Sequence, residues 1–442
     1  MHDPTRQDLS RRTFLARSVA GLAVAGLPEW FVNDAKAARR EAASALPRRY
    51  GPNDQINVAC IGPGGSKGGF RRGLDDTRDA AGHPGVKVVA VCDVDKQHRD
   101  EAVAVFGADC RGYSDFRDVL ARRDVDAVVI GTPDHWHAIV AIAALRAGKD
   151  VYCEKPLTLT IDEGKHIVRA ARETRRVFQV GSQQRSDARF RLACELVRNG
   201  RIGKVQRVYT HLPKGAIGGP FPVRPIPDGF DWDMWQGPTP AVDYVRERTH
   251  GTFRHWLEYS GGMMTDWGAH HNDIAQWGLG TDRSGPIAVQ AMGTRQVGPN
   301  CYNAFTEFEV TYTYPNDIAL ICASTDPNGV KFEGENGAIF VSRETIRASD
   351  PRLLTDPLPS NAVRLYVSDD HMGNFLDCVR SRKTPICAPE IGHRSVSVCH
   401  LGNICMRLGG DRLEWDPQRE HFTNSRDANA MLSRPMRGHW RL

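Results

Sequence analysis

The sequence predicts an α/β fold: a doubly wound parallel sheet in the first half, then a second α/β half of different pattern. Two observations carry this. Between residues 56 and 181, short β-type runs alternate with helical patterns, as expected of parallel strands joined by helical crossovers. After Ser182 that alternation stops, and longer strand-like runs appear. With 442 residues, 25% charged, 40% hydrophobic and 8% aromatic, the chain is ordinary globular material, long enough for two or three domains.

Runs at 56–61, 86–92, 125–130, 150–153 and 177–180 read as buried parallel strands. Helices are expected between them, near 69–80, 96–106, 115–123, 135–147 and 161–175. In the second half, 205–211, 305–314 and 318–324 read as strands. Phe305, Glu307, Glu309 and Thr311 alternate with Thr306, Phe308, Val310 and Tyr312, an imperfect period of two suited to a half-exposed sheet. Segment 212–230 carries Pro213, Pro220, Pro222, Pro225 and Pro227 and reads as an ordered, irregular excursion, either a lid or an oligomer arm.

The formal charge of +5 is unevenly spread. The first fifty residues hold nine Lys/Arg against five Asp/Glu, and the remainder holds 49 against 48. A near-neutral body argues against a nucleic-acid partner. The surplus belongs to an N-terminus in which Arg11-Arg12 precede an Ala/Gly-rich apolar stretch, 16–27, and Ala35-Lys36-Ala37 offers a small-x-small cleavage site. That stretch is shorter than the ~20 residues of a membrane helix and is interrupted by Arg17, so no stable span is expected. Together these features resemble a twin-arginine (Tat) signal. They predict export of a folded protein to the periplasm by the Tat machinery, with 1–37 as signal and 38–54 as a basic linker. The eleven cysteines include no CxxC pair; Cys60, Cys92 and Cys153 sit in strand-like runs as small hydrophobes. Cys399-His400 and Cys405, spaced helically with Val398, Leu401 and Leu408, read as core packing rather than a metal cluster.

Ligands of doubly wound sheets bind at the carboxyl ends of the strands, where the unusual residues of this chain gather. The first strand runs into Gly62-Pro63-Gly64-Gly65-Ser66-Lys67-Gly68-Gly69. Glycines let a backbone approach a pyrophosphate at a helix N-terminus. Lys67 occupies the third glycine's slot of G-x-G-x-x-G and Gly68 follows it, so the motif is incomplete. Asp93 ends the second strand, where a carboxylate can bind ribose hydroxyls and repel a 2′-phosphate. This favours NAD over NADP, although Lys67, Arg71 and Arg72 could soften the repulsion. Ile130 opens into Gly131-Thr132-Pro133-Asp134-His135-Trp136-His137, and Cys153 into Glu154-Lys155-Pro156. A lysine there serves as a proton-relay or electrostatic group, or as half of a structural ion pair.

A further motif runs Gly261-Gly262-Met263-Met264-Thr265-Asp266-Trp267-Gly268-Ala269-His270-His271-Asn272-Asp273. With the glycine loop, Asp93, Thr132–His137 and Glu154-Lys155-Pro156, it makes the chain resemble the Gfo/Idh/MocA oxidoreductases, whose D-x-G-x-H-x-x-D pattern it matches. Segments 231–238 and 266–278 are similar to that family's exported, Tat-carrying subgroup. The resemblance covers about residues 55–410. It implies a Rossmann NAD(P)-binding domain (55–182) and a C-terminal substrate and oligomerisation α/β domain (183–415) with a large, mostly antiparallel, open-faced sheet. Residues 416–442 are then an extension packed on the body. It also implies a sugar, sugar-derivative or cyclitol substrate, a homo-oligomer (dimer or tetramer), and NAD, with NADP open, tightly held if loaded before export. Carried over residue by residue, it makes His270 the acid/base, with Lys155 and Asp266 as partners. Gly62, Gly64, Gly65, Gly68, Asp93, Thr132, Pro133, His135, His137, Glu154, Lys155 and Pro156 surround the cofactor.

The residue chemistry agrees. Oxidising a sugar or cyclitol CH–OH requires a base for the hydroxyl proton. Asp266 and His270, four apart, share a helix face, so the carboxylate can orient the imidazole while Lys155 polarises the oxygen. The same spacing with His271 and Asp273 has a metal-ligand form; no metal is expected, and Asp273 reads as structural. Trp232, Trp235, Trp256 and Trp277 read as core, whereas Trp267, within the motif, can stack on a sugar face. Arg185, in Gln183-Gln184-Arg185, and His271 are weaker substrate candidates. Two other functions share these motifs: an NAD-dependent glycosidase or lyase that oxidises its sugar transiently, and a non-catalytic sugar sensor. Intact Lys155, Asp266 and His270 speak against the sensor.

Overall fold

In the computed structural model, which describes residues 26–44 and 55–442, the first half forms a six-stranded, wholly parallel sheet of order β3-β2-β1-β4-β5-β6. The twin arginines and residues 45–54 of the expected linker lie outside the described residues. After helix α1 (Glu29–Ser44) come β1 (Ile56–Ile61), α2 (Arg72–Ala81), β2 (Val86–Cys92), α3 (Lys96–Phe106), β3 (Arg111–Tyr113) and α4 (Phe116–Leu120). The chain then crosses back to β4 (Ala127–Ile130), α5 (Asp134–Arg146), β5 (Asp150–Cys153), α6 (Ile161–Thr174) and β6 (Phe178–Val180). β4 and β5 are buried along their whole length, which is why β4 reads as an unbroken apolar run and β5 as one after Asp150. The order reverses between β1 and β4, and a crevice opens at their carboxyl ends. The edge strand β3, Arg-Gly-Tyr, has no apolar run to announce it.

The second half contains α7 (Ala188–Arg198), β7 (Val205–His211), α8 (Trp232–Gln236), α9 (Met263–Asp266) and α10 (Gly268–Leu279). Six strands follow: β8 (Ala288–Arg295), β9 (Phe305–Thr313), β10 (Ala319–Ala323), β11 (Gly329–Gly334), β12 (Gly337–Val341) and β13 (Ile346–Ala348). After α11 (Arg352–Thr355), α12 (His371–Ser381) and α13 (Pro389–Arg407), strands β14 (Leu413–Asp416) and β15 (His421–Phe422) complete a nine-stranded sheet of order β13-β12-β11-β7-β10-β9-β8-β14-β15. Only the β7–β10 pairing is parallel. The period of two holds along β9: Thr306, Phe308, Val310 and Tyr312 are buried, while Glu307 and Glu309 face out. The buried face joins Met264, Ile274, Trp277, Val398, Cys399 and Cys405 in one core. All eleven cysteines are buried and unpaired.

Helix α1 docks on this half. Phe31 and Ala35 are fully buried, the Arg191 guanidinium lies 3.9 Å from the Phe31 ring centre, and Asp34 pairs with Arg364 at 2.9 Å. The expected cleavage site, Ala35-Lys36-Ala37, therefore falls within a docked helix. Residues 212–230 form no regular element but are fastened by backbone bonds, Gly215 N–H to the Thr306 carbonyl and Phe221 N–H to that of Asn300, both 2.8 Å. At the other terminus Arg434 donates to Glu163 and to the His135 carbonyl (both 2.8 Å), and Trp440 packs edge-on against Trp136. Among the described residues no helix is long and apolar enough to cross a membrane.

Candidate active site

The loop from β1 to α2 lies at the crevice. Gly62 has φ +77°, and a Cβ there would come within 2.6 Å of the Thr132 nitrogen. Glycine alone lets the end of β1 approach the loop after β4 this closely. Gly62, Gly64, Asp93, Thr132 and Pro133 line one pocket. The Asp93 carboxylate accepts the N–H groups of Gly64 (3.2 Å) and Asp95 (2.9 Å). The cations that could have neutralised it are engaged elsewhere: Lys67 holds Asp95 at 3.0 Å, Arg71 holds Asp75, and Arg72 lies on Asp76 and Glu154. The Thr132 hydroxyl is buried without a partner among the described residues. A glycine cradle, a carboxylate that meets no Lys or Arg among the described residues and only His98 Nδ1 at 3.8 Å, and an orphaned hydroxyl fit a dinucleotide with free ribose hydroxyls.

Four expected cofactor residues stand back from this pocket. Gly65 faces His98 and Glu101, and Gly68 turns the loop against His250. His135 is buried against the Trp235 carbonyl (2.9 Å), and His137 bridges the carbonyls of Thr132 (2.7 Å) and Pro156 (2.8 Å). They fasten the loops rather than line the pocket, the imidazoles through backbone carbonyls, with His135 Nδ1 left without a partner among the described residues. Asp95, His98 and His250 lie within metal-ligand reach of one another, but the Lys67 ammonium already occupies the Asp95 carboxylate.

A second cavity of about 570 Å³ continues from the first, with Gly131 and Thr132 in the walls of both. Glu154, Lys155, Pro156, Asp266, Trp267 and His270 line it. Lys155 Nζ donates to Asp266 Oδ1 (2.6 Å) and to the Asp266 carbonyl (2.9 Å). Burial alone would raise the Asp266 carboxyl, but the charges of Lys155 and Arg254 hold it down at about 2. His270 is buried, and its Nδ1 has no partner among the described residues. Burial first, then the charges of Lys155 and Arg343, hold its pKa well below the usual value, so the ring is neutral. Asp266 and His270 do not form the expected pair. The helix is interrupted at Trp267, and Asp266, ending α9, turns to the ammonium of Lys155, a stronger partner than a neutral ring.

Arg185 does not reach the cavity. It is fully buried in a two-bonded pair with Asp273 (2.7 and 2.8 Å), extended to Asp282 (3.3 Å), and lies over the Trp277 ring. Asp273 is thus a counter-ion and not a metal ligand. His271 also stands outside the wall, its Nε2 on Asn328 at 2.7 Å. Of the five tryptophans singled out, only Trp267 lines this cavity; Trp232, Trp235 and Trp256 join a buried aromatic cluster.

Two family descriptions account for this architecture. "Oxidoreductase family, NAD-binding Rossmann fold" matches residues 56–182, and "Oxidoreductase family, C-terminal alpha/beta domain" matches 180–442. The chain belongs to the Gfo/Idh/MocA oxidoreductases. Within this family it is 28% identical over 315 residues to the scyllo-inositol 2-dehydrogenase (NAD(+)) of Bacillus subtilis, covering 69% of this chain and 81% of that one. It is 33% identical over 126 residues to the inositol 2-dehydrogenase of Salmonella typhimurium, but spans only 38% of that relative's length (28% of its own). It is 30% identical over 219 residues to a glycosyl hydrolase family 109 protein of Shewanella pealeana, 46% of each chain. The fold matches the WlbA dehydrogenase of Bordetella pertussis, solved with NADH and UDP-GlcNAcA, at TM-score 0.60, with 20% identity over 81% of this chain and 98% of that one. It also matches the aldose-aldose oxidoreductase of Caulobacter crescentus at TM-score 0.59, with 19% identity over 81% and 99%.

This Gfo/Idh/MocA oxidoreductase is therefore an NAD-binding enzyme whose Rossmann domain supplies the nucleotide pocket. Its second half completes both cavities. His250 and Phe253 reach the nucleotide pocket, and Arg254 and Arg343 reach the larger one, from segments with no motif of their own. No spacing in the sequence marked these residues, because each arrives by tertiary contact.

Proposed function

We propose that this oxidoreductase is a dehydrogenase of a sugar or cyclitol CH–OH group, and that it works in the periplasm after Tat export. The observation that carries the catalytic reading is the neutral, unpartnered His270 facing the same cavity as the Lys155–Asp266 pair, beside the nucleotide pocket. Gly62, Gly64, Asp93, Thr132 and Pro133 would hold NAD. NAD, when bound, supplies the hydride acceptor that turns the alcohol carbon into a carbonyl. Lys155 Nζ, fixed by two bonds to Asp266, polarises the substrate oxygen. His270 removes the hydroxyl proton at an unprotonated ring nitrogen, and its low pKa keeps that nitrogen free at neutral pH. Asp134, whose carboxyl burial raises to about 6, accepts the Ser260 hydroxyl at 2.5 Å and pins the segment before Asp266 to α5. Phe70, Phe253 and Trp267 in the walls exclude water and offer an apolar face to a sugar ring.

The purified protein, mixed with a panel of sugars and inositols, is expected to yield NADH by absorbance; no NADH from any of them sinks the proposal. A second reading is supported by the likeness to the family 109 glycosyl hydrolase protein. In it, the same base acts on a transiently oxidised sugar, and cleavage of an aryl glycoside without net NADH would favour it. Self-assembly is supported by the resemblance and by the exposed apolar side chains of Ile217, in the 212–230 excursion, and of Met292 and Val297. Val297→Asp is expected to lower the mass seen by analytical ultracentrifugation, and a wild-type monomer overturns the assembly reading.

A further inference from the structure

The cavity shared by Lys155 and His270 carries more positive charge than a neutral sugar calls for. Five cations line it, Arg72, Lys155, Arg189, Arg254 and Arg343, against four acids, Asp134, Glu154, Asp187 and Asp266. Four of the cations are matched. Arg72 lies on Asp76 and Glu154, Lys155 and Arg254 share Asp266, and Arg189 holds Asp187 at 2.6 Å. Arg343, in the link from β12 to β13, has no carboxylate at ion-pair distance among the described residues.

Arg343 is nevertheless held in place. Its guanidinium sits 4.6 Å from the Trp267 ring centre, and its Nε donates to the Gln184 amide oxygen at 3.2 Å once that amide is turned to satisfy both its ends. Stacking fixes the plane of the group and leaves its terminal nitrogens to a ligand. Partial burial and the nearby charge of Arg72 both disfavour this cation, and an incoming anion would relieve both. Trp267 also lies three residues before His270, so a group bound at Arg343 belongs to the same ligand that meets the base.

We propose that the substrate is an acidic sugar whose carboxylate pairs with Arg343 while one of its ring hydroxyls meets Lys155 and His270. A guanidinium fork matches a planar carboxylate in both geometry and charge. The assignment rests on the dehydrogenase reading, whose site it shares.

Isothermal titration of the full-length, NAD-bearing protein tests it with D-glucuronate and D-galacturonate, each against its neutral amide. At least one acid is expected to bind about 10- to 100-fold more tightly than its amide, the range of a charge-assisted bidentate contact. Arg343→Gln is expected to erase that preference, with its thermal melt showing that it folds, and Arg343→Lys to restore only part. Equal affinity for every acid and its amide overturns the proposal, as does a preference that survives Arg343→Gln. So does an Arg343-dependent preference for D-glucose 6-phosphate alone, which would assign the site to phosphate. NADH absorbance in the same mixtures separates the two readings. Arg343-dependent acid binding without NADH from any sugar keeps the anion site and strikes the dehydrogenase. NADH from neutral sugars without acid preference does the reverse.

Discussion

Lys155 and His270 have opposite electrostatic settings in one cavity. The Asp266 carboxylate, held at about 2, anchors the Lys155 ammonium, whereas His270 sits uncharged with an unpartnered nitrogen. A polarising cation and a free base are what proton removal from an alcohol requires. Lys155→Ala and His270→Ala are each expected to lower kcat/KM by about 100-fold or more, while NADH binding followed by fluorescence persists. A His270→Ala loss of only a few-fold removes His270 from the role of base. The pH dependence follows from the sign of the His270 shift. Its folded pKa lies below the ordinary 6.5 because of burial and the charges of Lys155 and Arg343, so the neutral base survives as pH falls through 6.5. The acid limb of kcat/KM should therefore lie below pH 6.5, and a limb at or above 6.5 contradicts the assignment.

Helix α10 shows which parts of the elements were legible. Its D-x-G-x-H-x-x-D pattern marked the right segment, but three- and four-residue spacing cannot reveal the interruption at Trp267 that sends Asp266 and His270 to different partners. Strands β1, β4 and β5 were legible because burial on both faces forces runs that are apolar but for Asn57 and Asp150, and β9 because one face is wet. Strands β3, β13 and β15, of two or three residues, lacked any periodicity to read. Arg185 shows a subtler limit. Its position after the last Rossmann strand suggests the crevice, but only the fold reveals that Asp273 faces it. That pair is buried and also takes the Ser395 hydroxyl at 2.5 Å. Asp273→Asn should strand the Arg185 charge and cost about 3–5 kcal/mol, read as a lower urea midpoint. A loss under about 1 kcal/mol would mean that the guanidinium finds other relief.

At the scale of the whole molecule, the proposed export would make demands on helix α1 that conflict with those of folding. The sequence places a small-x-small site at Ala35-Lys36-Ala37, but cutting there would remove Phe31 and Asp34 from a helix already docked on the body. Phe31 covers Arg191, whose Nε and one terminal nitrogen have no hydrogen-bond partner among the described residues, and Asp34 pairs with Arg364. Losing a buried phenylalanine costs about 3–5 kcal/mol, a large share of the ~5–15 kcal/mol that holds a protein folded. A protein that crosses the membrane already folded gains nothing by discarding part of its core. Ala23-Val24-Ala25 offers another small-x-small site upstream of Glu29, and a cut after it would spare the helix. If the protein is exported as proposed, the form recovered from a periplasmic extract is therefore expected, by intact mass, to begin before Glu29. Phe31→Ala is expected to lower its thermal midpoint markedly. A mature chain beginning at Ala38 would instead show that the body holds without this helix, and Phe31→Ala in the uncut chain would then be nearly neutral.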